Sequence, residues 1–557
     1  MNDDTQTTAT EDVERTDKSR TQTQTQTFWA AAAADEIEET NPTDPIVIKG
    51  GVSPSGVAHL GNFNEVIRGY FIAEVLRERG HEVRQVFTSD DRDPLRSLPQ
   101  RLADASGEIV GLGDVDAGAL GRNLGRPYTD IPDPFGESES YAAHFTKLLA
   151  ADADRLDIPV EIVSNTEYYR EGKFEEAITC ILANIDTARE VLSQYQSKVD
   201  ADYVPFNPLC QNCGKITETV TDIDIDTQTV TYRCTDMTAG ERTIEGCGHE
   251  GTATFREGKL PWRFEWPAQW QILDVDFEPF GKDHAEGSWP SGEDIANTVL
   301  ETTPPVPMVY EWFTVNNESL SSSTGHIVTI TELLTLLEPA VIRYFFALDP
   351  RRARDLDLTN LDQLVDDFDR FERAYFEGVN DESVNAFAEQ AYPYVVETID
   401  PDRVRLPYTF AAVLGMTDDR SLQIEMARNE GHIDAETPEW AIDDALNRVE
   451  KARRWAERMD NTYNYQLQET RPAIDIDPAS DTAKALDTLA GVVAEGSDGE
   501  EIQAAIFDIA RDYDIPVSEF FEVGYQLFFD QSEGPRLGEF LGELDTEFVV
   551  QRLRREG

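Results

Sequence analysis

Four groups of residues in this chain have types and spacings that can do chemistry. The first is Pro54-Ser55-Gly56-Val57-Ala58-His59-Leu60-Gly61-Asn62. Gly56 and Gly61 let the backbone pass close to a ligand, and His59 and Asn62 stand where a helix begins. Imidazole and amide groups placed there can hydrogen-bond phosphate oxygens, and the helix N-terminus adds favourable potential. His59 would stabilise charge developing on a phosphate during nucleotidyl transfer. The second group is Ser319-Leu320-Ser321-Ser322-Ser323-Thr324-Gly325. Its hydroxyls and amides can close over a polyphosphate, although taken alone it also reads as a polar linker.

The third group is Cys210-x-x-Cys213, Cys234 and Cys247-Gly248-His249. Four of the five cysteines fall together, which suits one tetrahedral structural zinc. Cys210, Cys213, Cys234 and Cys247 would be its ligands, with His249 as a substitute. The remaining Cys180 lies in an apolar helical run and reads as core. The fourth group is Lys259 to Pro267, rich in tryptophan, followed by Gly281-Lys282-Asp283-His284. Donors and acceptors after an apolar stretch have the make-up of a pocket wall.

The surrounding pattern supplies a frame for these groups. Ile46-Val47-Ile48 reads as a strand running into the first motif. Asn64 to Arg79 has helical periodicity, with Val66, Ile67, Tyr70, Phe71, Val75 and Leu76 on one face. Gly80 ends that helix, and Glu82 to Thr88 reads as the next strand, ending in Ser89-Asp90-Asp91. Strand, glycine turn, helix, strand is the opening of a doubly wound α/β sheet, whose ligands lie beyond the carboxyl ends of the strands.

Further helices are expected at 138–151 and 171–196, and Val306 to Val315 reads as a strand. Amphipathic helices at Leu361–Phe376, Ala441–Met459 and Glu501–Asp512 mark an all-α C-terminal third. The division this implies is a disordered tail at 1–27 and an α/β domain at 28–202 and 257–345. A cysteine-bearing insertion at 203–256 interrupts that domain, and helices fill 346–557.

The charge is extreme: 108 acidic against 48 basic residues, or −60. A nucleic-acid binder is ordinarily basic. The acids are spread along the whole chain, however, which fits a surface kept hydrated in molar salt, where repulsion is screened within about 3 Å. The charge is therefore read as salt adaptation rather than as evidence about partners. The sequence has no apolar run that would cross a membrane and no apolar leader, and its clustered cysteines suit a reducing cytoplasm.

The four groups occur together, in this order, in class I aminoacyl-tRNA synthetases. The first resembles the His-Ile-Gly-His signature, and the Ser-rich loop stands in the place of the Lys-Met-Ser-Lys-Ser signature. Within that class the chain most resembles the archaeal-type class I lysyl-tRNA synthetases. The likeness includes Phe28-Trp29, Gly51 to Gly56, Asp90-Asp91-Arg92-Asp93 and Asp133-Pro134-Phe135-Gly136. It continues through Glu139-Ser140-Tyr141 with His144, Trp262-Arg263, Gly281 to His284, Tyr310-Glu311 and Gly534-Pro535-Arg536-Leu537-Gly538.

The resemblance implies a Rossmann-type catalytic domain with a zinc-bearing insertion and a helical anticodon-binding domain. It implies activation of lysine by ATP and transfer to the terminal adenosine of tRNA(Lys), with Mg²⁺ and a structural Zn²⁺, in a cytoplasmic monomer. His59, Asn62, Ser321 and Ser322 would be catalytic. ATP would lie against Pro54, Ser55, Gly56, Gly61, Ser319 and Ser323 as well as His59 and Asn62. Gly51, Ser53, Trp262, His284 and Tyr310 would line the lysine pocket, with Asp90 or Asp283 supplying charge for its ammonium.

The chain also departs from the family pattern. The family has lysines at the positions of Ser319 and Thr324, and the wider class has one at Ser322. Mg²⁺, loop amides and hydroxyls would take over their phosphate contacts. A second family metal site would fall near Asp133, Glu137, Ser138 and His144, where Glu137 and Ser138 replace softer ligands. Two rival readings are a glutamyl-type synthetase and a tRNA-binding paralogue without turnover. Against the first, Asp90-Asp91 would repel glutamate; in favour of the second stand the missing lysines.

Overall fold

The computed structural model describes residues 28–556 apart from 198, 241, 321–325, 469 and 475. Five parallel strands form its central sheet: β1 (Ile46–Val52), β2 (Val83–Ser89), β3 (Glu161–Ser164), β4 (Phe277–Gly281) and β5 (Val306–Tyr310). Their spatial order is β5-β4-β1-β2-β3. The order reverses at β1, so β1 and β4 are neighbours from opposite halves of the winding. The crevice beyond their carboxyl ends is where this topology places ligands.

Helix α1 (Trp29–Glu39) and helix α2 (Phe63–Glu78) pack together on the sheet. The apolar stripe read from α2 understates its burial. Asn64, Arg68, Gly69, Ile72 and Ala73 are buried too, because sheet, α1 and helix Pro339–Ala347 surround it. Val306 to Val315 is two strands rather than one. The chain turns at Glu311, whose N–H donates to Pro350 O at 2.8 Å, and Phe313–Val315 then pairs with Arg354–Leu356 in a separate sheet. The stretch 171–196 is not one helix either. Gly172, at φ +82°, ends helix Asn165–Glu171, and helices Glu175–Ala183 and Ile185–Ser193 follow. The helix expected at 138–151 is Tyr141–Arg155, started by the Ser140 side chain, which accepts from Ala143 N.

Between β3 and β4 the chain leaves the sheet. A three-stranded antiparallel sheet (Val220–Asp224, Thr229–Arg233, Glu250–Thr254) and the pair Met237–Ala239 with Arg242–Ile244 build the excursion; Cys234 and Cys247 lie in their loops, and Cys210 and Cys213 in the turn before them. The excursion is closed by a short antiparallel pair, Asn207–Pro208 with Gly258–Lys259. Helix α3 (Trp262–Leu273) then returns the chain to β4.

Beyond Leu361 the described elements are helices, among them Leu361–Phe376, Glu439–Met459 and Gly499–Asp512. Arg448, 1% exposed, joins three of the helical segments: it contacts Glu338 at 2.7 Å and Asp369 at 2.7 and 2.9 Å. No helix among the described residues is long and apolar enough to cross a membrane.

Candidate active site

The loop after β1 owes its shape to His59. The ring Nδ1 accepts the Gly61 N–H at 3.1 Å, and the His59 N–H donates to Asn62 Oδ1 at 3.0 Å. Leu60–Asn62 is therefore a capped 3-10 turn that leads into α2. A Cβ on Gly61 would lie 2.8 Å from His59 Cε1, so only glycine leaves room for the ring. With Nδ1 accepting, the proton of the neutral ring sits on Nε2. Burial pushes the His59 pKa down to about 4, so the ring is a neutral donor at pH 7. It offers a phosphate oxygen a hydrogen bond rather than a full positive charge.

This loop meets residues on either side of the Ser-rich stretch. Leu60 donates its N–H to Val328 O at 2.7 Å, and Leu320 lies against Gly61. Ser319 is exposed on a short strand paired with Thr314, while Ser321, Ser322 and Ser323 lie outside the described residues. Pro54, Ser55, Gly56, His59 and Asn62 line one cavity of about 180 Å³ with Ser53, Ser89 and Thr146. Ser55 O accepts the Tyr141 hydroxyl at 2.8 Å, which pins the loop.

Tyr310 and Gly51 meet through a residue that the sequence reading missed. Glu65, near the start of α2, accepts the Gly51 N–H at 3.0 Å through Oε2 and the Tyr310 hydroxyl at 3.1 Å through Oε1. A carboxylate thus stands at the switch point between the ends of β1 and β5. Burial raises its pKa to about 7; the Gly51 N–H opposes this and Glu278 adds to it. An acid in the first turn of a helix is ordinary dipole chemistry, so nothing in the sequence singles Glu65 out. Gly51 is required sterically: a Cβ there would fall 2.2 Å from Thr88 Oγ1.

Two buried lysines neutralise part of the acid below. Lys49 on β1 pairs with Glu278 on β4 at 2.7 Å, both within 4% exposure, and Trp266 and Trp270 donate their indole N–H groups to the same carboxylate. Lys259 pairs with Asp93 and, at 2.7 Å, with Glu265. Asp90 is buried and accepts from Asn165 Nδ2 at 2.7 Å and Gln269 Nε2 at 3.1 Å. Burial, with Glu265 and Asp93 nearby, raises its pKa to about 7. Five acidic groups (Glu65, Asp90, Asp93, Glu265, Glu278) thus lie around this crevice with the buried cations Lys49, Lys259, Arg68 and Arg92.

Trp262, His284 and Asp283 form the opposite rim. The His284 ring packs on Trp262 and Trp266 with centroids 5.2 and 5.6 Å away, and its Nε2 is 3.5 Å from Asp283 Oδ2. Asp283 is 47% exposed and takes the Trp312 indole N–H at 3.3 Å. Of the two acids named from sequence, Asp90 is thus held beneath the site and Asp283 is on its lip.

The four cysteine sulfurs all lie within 4.8 Å of one another, with Cys210–Cys247 at 3.6 Å and Cys213–Cys234 at 3.7 Å. A tetrahedral zinc with metal–sulfur bonds of about 2.3 Å has sulfur–sulfur edges of about 3.8 Å, so the set fits that ion. His249 is outside it, its ring against Tyr232. Near the place read for a second metal site, Asp133 accepts the Phe135, Glu137 and Ser138 N–H groups, and its Oδ1 is 3.3 Å from His144 Nδ1. The other His144 nitrogen meets Ala103 O at 2.9 Å, so these contacts shape a turn.

A family model described as tRNA synthetases class I (K) matches residues 27–398. A lysine–tRNA ligase of Halobacterium salinarum is 62% identical over 534 residues, covering 95% of this chain and 97% of that protein. One from Natronomonas pharaonis is 62% identical over 535 residues, with the same coverage of each. One from Pyrococcus furiosus is 30% identical over 551 residues, covering 95% of this chain and 99% of its own length.

Proposed function

Because this chain belongs to the class I (K) tRNA synthetases, we propose that it is a lysine–tRNA ligase. It joins lysine to ATP as lysyl-adenylate, releases pyrophosphate, and passes the lysyl group to the terminal adenosine of tRNA(Lys). The observation that carries the choice of amino acid is an acid at the switch point, Glu65, held between Gly51 and Tyr310 with Asp90 below it. Such a crevice attracts an ammonium side chain and repels a carboxylate one, which disfavours glutamate.

The residues act by binding and orientation rather than by strong base catalysis. Gly51, Ser53, Glu65 and Tyr310 hold the amino acid against Trp262 and His284. His59 Nε2–H and the amide of Asn62 donate to phosphate oxygens as charge develops during adenylate formation. Ser319, next to the segment tied to this loop through Leu60 and Val328, and the hydroxyls expected from sequence at Ser321, Ser322 and Ser323 would serve the same phosphates. Mg²⁺ bound with ATP would supply positive charge at the phosphates. Cys210, Cys213, Cys234 and Cys247 would hold a structural Zn²⁺, which would tie the insertion together. The acidic surface suits a cytoplasm of molar salt.

The test is amino-acid-dependent pyrophosphate exchange in molar KCl with tRNA present. Exchange with lysine is expected. Exchange with glutamate and none with lysine would overturn the assignment, and tRNA binding without any exchange would make the chain a non-catalytic paralogue.

A further inference from the structure

Ser53, in the wall of the cavity beside the loop after β1, donates its hydroxyl hydrogen to Asp93 Oδ2 at 2.7 Å, so its oxygen has only lone pairs left to offer. The direction is fixed by charge, since an ionised carboxylate has no proton to give. Burial works against the charge on Asp93, but Lys259 and its hydrogen bond outweigh burial and hold the carboxyl below its ordinary range.

Lys259 in turn has no freedom to leave. It is 3% exposed and bridges Asp93 Oδ1 and Glu265 Oε2. The other Glu265 oxygen takes the Tyr169 hydroxyl at 2.7 Å, and that hydroxyl oxygen accepts the Leu260 N–H at 2.8 Å. The strand bearing Lys259 closes the base of the cysteine insertion, against Asn207–Pro208. Arg92, one residue before Asp93, donates to Gly258 O at 2.9 Å and to Arg256 O at 2.6 Å. The insertion and the turn after β2 are therefore joined on both sides of the Lys259–Asp93 pair.

We propose that Asp93 and Lys259 are positioning residues that orient the Ser53 hydroxyl as an acceptor, so that this position selects an amino group of the substrate. The cysteine insertion then contributes a fixed cation to the amino-acid site as well as a scaffold. This rests on the lysine-ligase reading and adds to it a reason why an acceptor-bearing analogue is refused at Ser53. A reversed hydroxyl would donate, and would leave an ammonium N–H facing another hydrogen.

The experiment compares Ser53→Ala, Asp93→Asn and the double variant by calorimetric titration in molar KCl. The probes are lysine, 6-aminohexanoate, which lacks the α-amino group, and norleucine, which lacks the ε-amino group. Each single variant weakens lysine by about tenfold or more, as for loss of a charge-assisted hydrogen bond. The double variant is no worse than about twofold beyond either single one, because both break the same link. The analogue that lacks the amino group read by Ser53 is bound equally by wild type and variants, and ATP affinity is unchanged. Additive losses, or an Asp93→Asn protein that binds lysine like the wild type, would overturn the proposal. Lysine failing to bind the wild type would instead sink the lysine-ligase reading. Lys259→Met is the harsher variant; if it does not fold, the Ser53 and Asp93 pair still decides the matter.

Discussion

The Tyr310 hydroxyl donates to Glu65 Oε1 at 3.1 Å, which ties the end of the edge strand β5 to the first turn of α2 across the crevice. Glu65→Gln keeps the size of the side chain but replaces one acceptor oxygen by a donor, so it cannot accept from both Gly51 N–H and Tyr310. The KM for lysine should rise about 10–100-fold, the worth of hydrogen bonds to a charged group. The KM for ATP should stay within about twofold. Steady-state aminoacylation with each substrate varied separates the two effects; an equal rise in both would point to general damage.

Lysine binding should release protons near neutral pH. Glu65 has its pKa raised from 4.5 to about 7, so without substrate the folded chain holds a proton that the unfolded chain has lost. Stability from this group is complete below about pH 4.5 and is lost as pH rises through 7. An arriving ammonium favours the ionised form, so lysine affinity increases from about pH 5.5 to 7.5. Lys49, Glu278, Tyr310 and Asp90 share the field, and Asp90 contributes in the same direction. Titration calorimetry in buffers of different ionisation heat measures the protons. Glu65→Gln should reduce the release, and unchanged release would refute the assignment.

His59 should titrate far below an ordinary histidine. Its pKa is pushed from 6.5 down to about 4, so between those values the unfolded chain takes up a proton that the folded site refuses. This site therefore loses stability as pH falls through that window. Carbon-detected NMR of the ring should show an inflection near pH 4; one near 6.5 would remove the neutral-donor argument. His59→Ala should lower kcat about 10²–10³-fold, as for loss of one transition-state donor.

Chelating the metal, or Cys213→Ser, should loosen residues 207–259 while the parallel sheet keeps its protection. Hydrogen exchange read by peptide reports this directly, with one zinc per chain expected in the untreated protein. Protection that is unchanged after chelation would mean that the insertion stands without metal.

Arg448→Met should be among the most destabilising single changes in the helical region. It strands Glu338 and Asp369 beside an apolar side chain in a buried setting. Breaking such a group by removing one partner costs about 3–5 kcal/mol. Denaturant unfolding in high salt tests it.

The sequence was readable where a pattern is local. Leu361–Phe376 coincides with its observed helix because its apolar positions repeat every three to four residues. The His59 turn is legible because glycine and capping residues sit within one turn of each other. The gathering of Cys210, Cys213, Cys234 and Cys247 follows from their types alone. What was not legible depends on chain segments meeting from afar. Glu65 gains meaning only from Tyr310, 245 residues on, and Lys259 only from Asp93, 166 residues back. The surroundings of the His144 group were not legible for the same reason. Asp133 and His144 look like ligands in sequence, but backbone N–H groups and Ala103 O take up their polar atoms. Residues 321–325 lie outside the described part of the chain, so the Ser-rich loop stays a reading of sequence.

The Lys49–Glu278 pair spans 229 residues of chain and sits under the crevice. On a ribosome that elongates at about 5–20 residues per second, β4 emerges roughly 10–50 s after β1. Until then Lys49 lacks its ion-pair partner and has only the fields of Glu65 and Asp90, so burying it costs more than in the finished sheet. The pair is therefore a late contact, one that the first half of the sheet cannot complete on its own. A truncated chain that ended inside the insertion would have the phosphate loop but no crevice, and would leave the cell's ATP and lysine untouched.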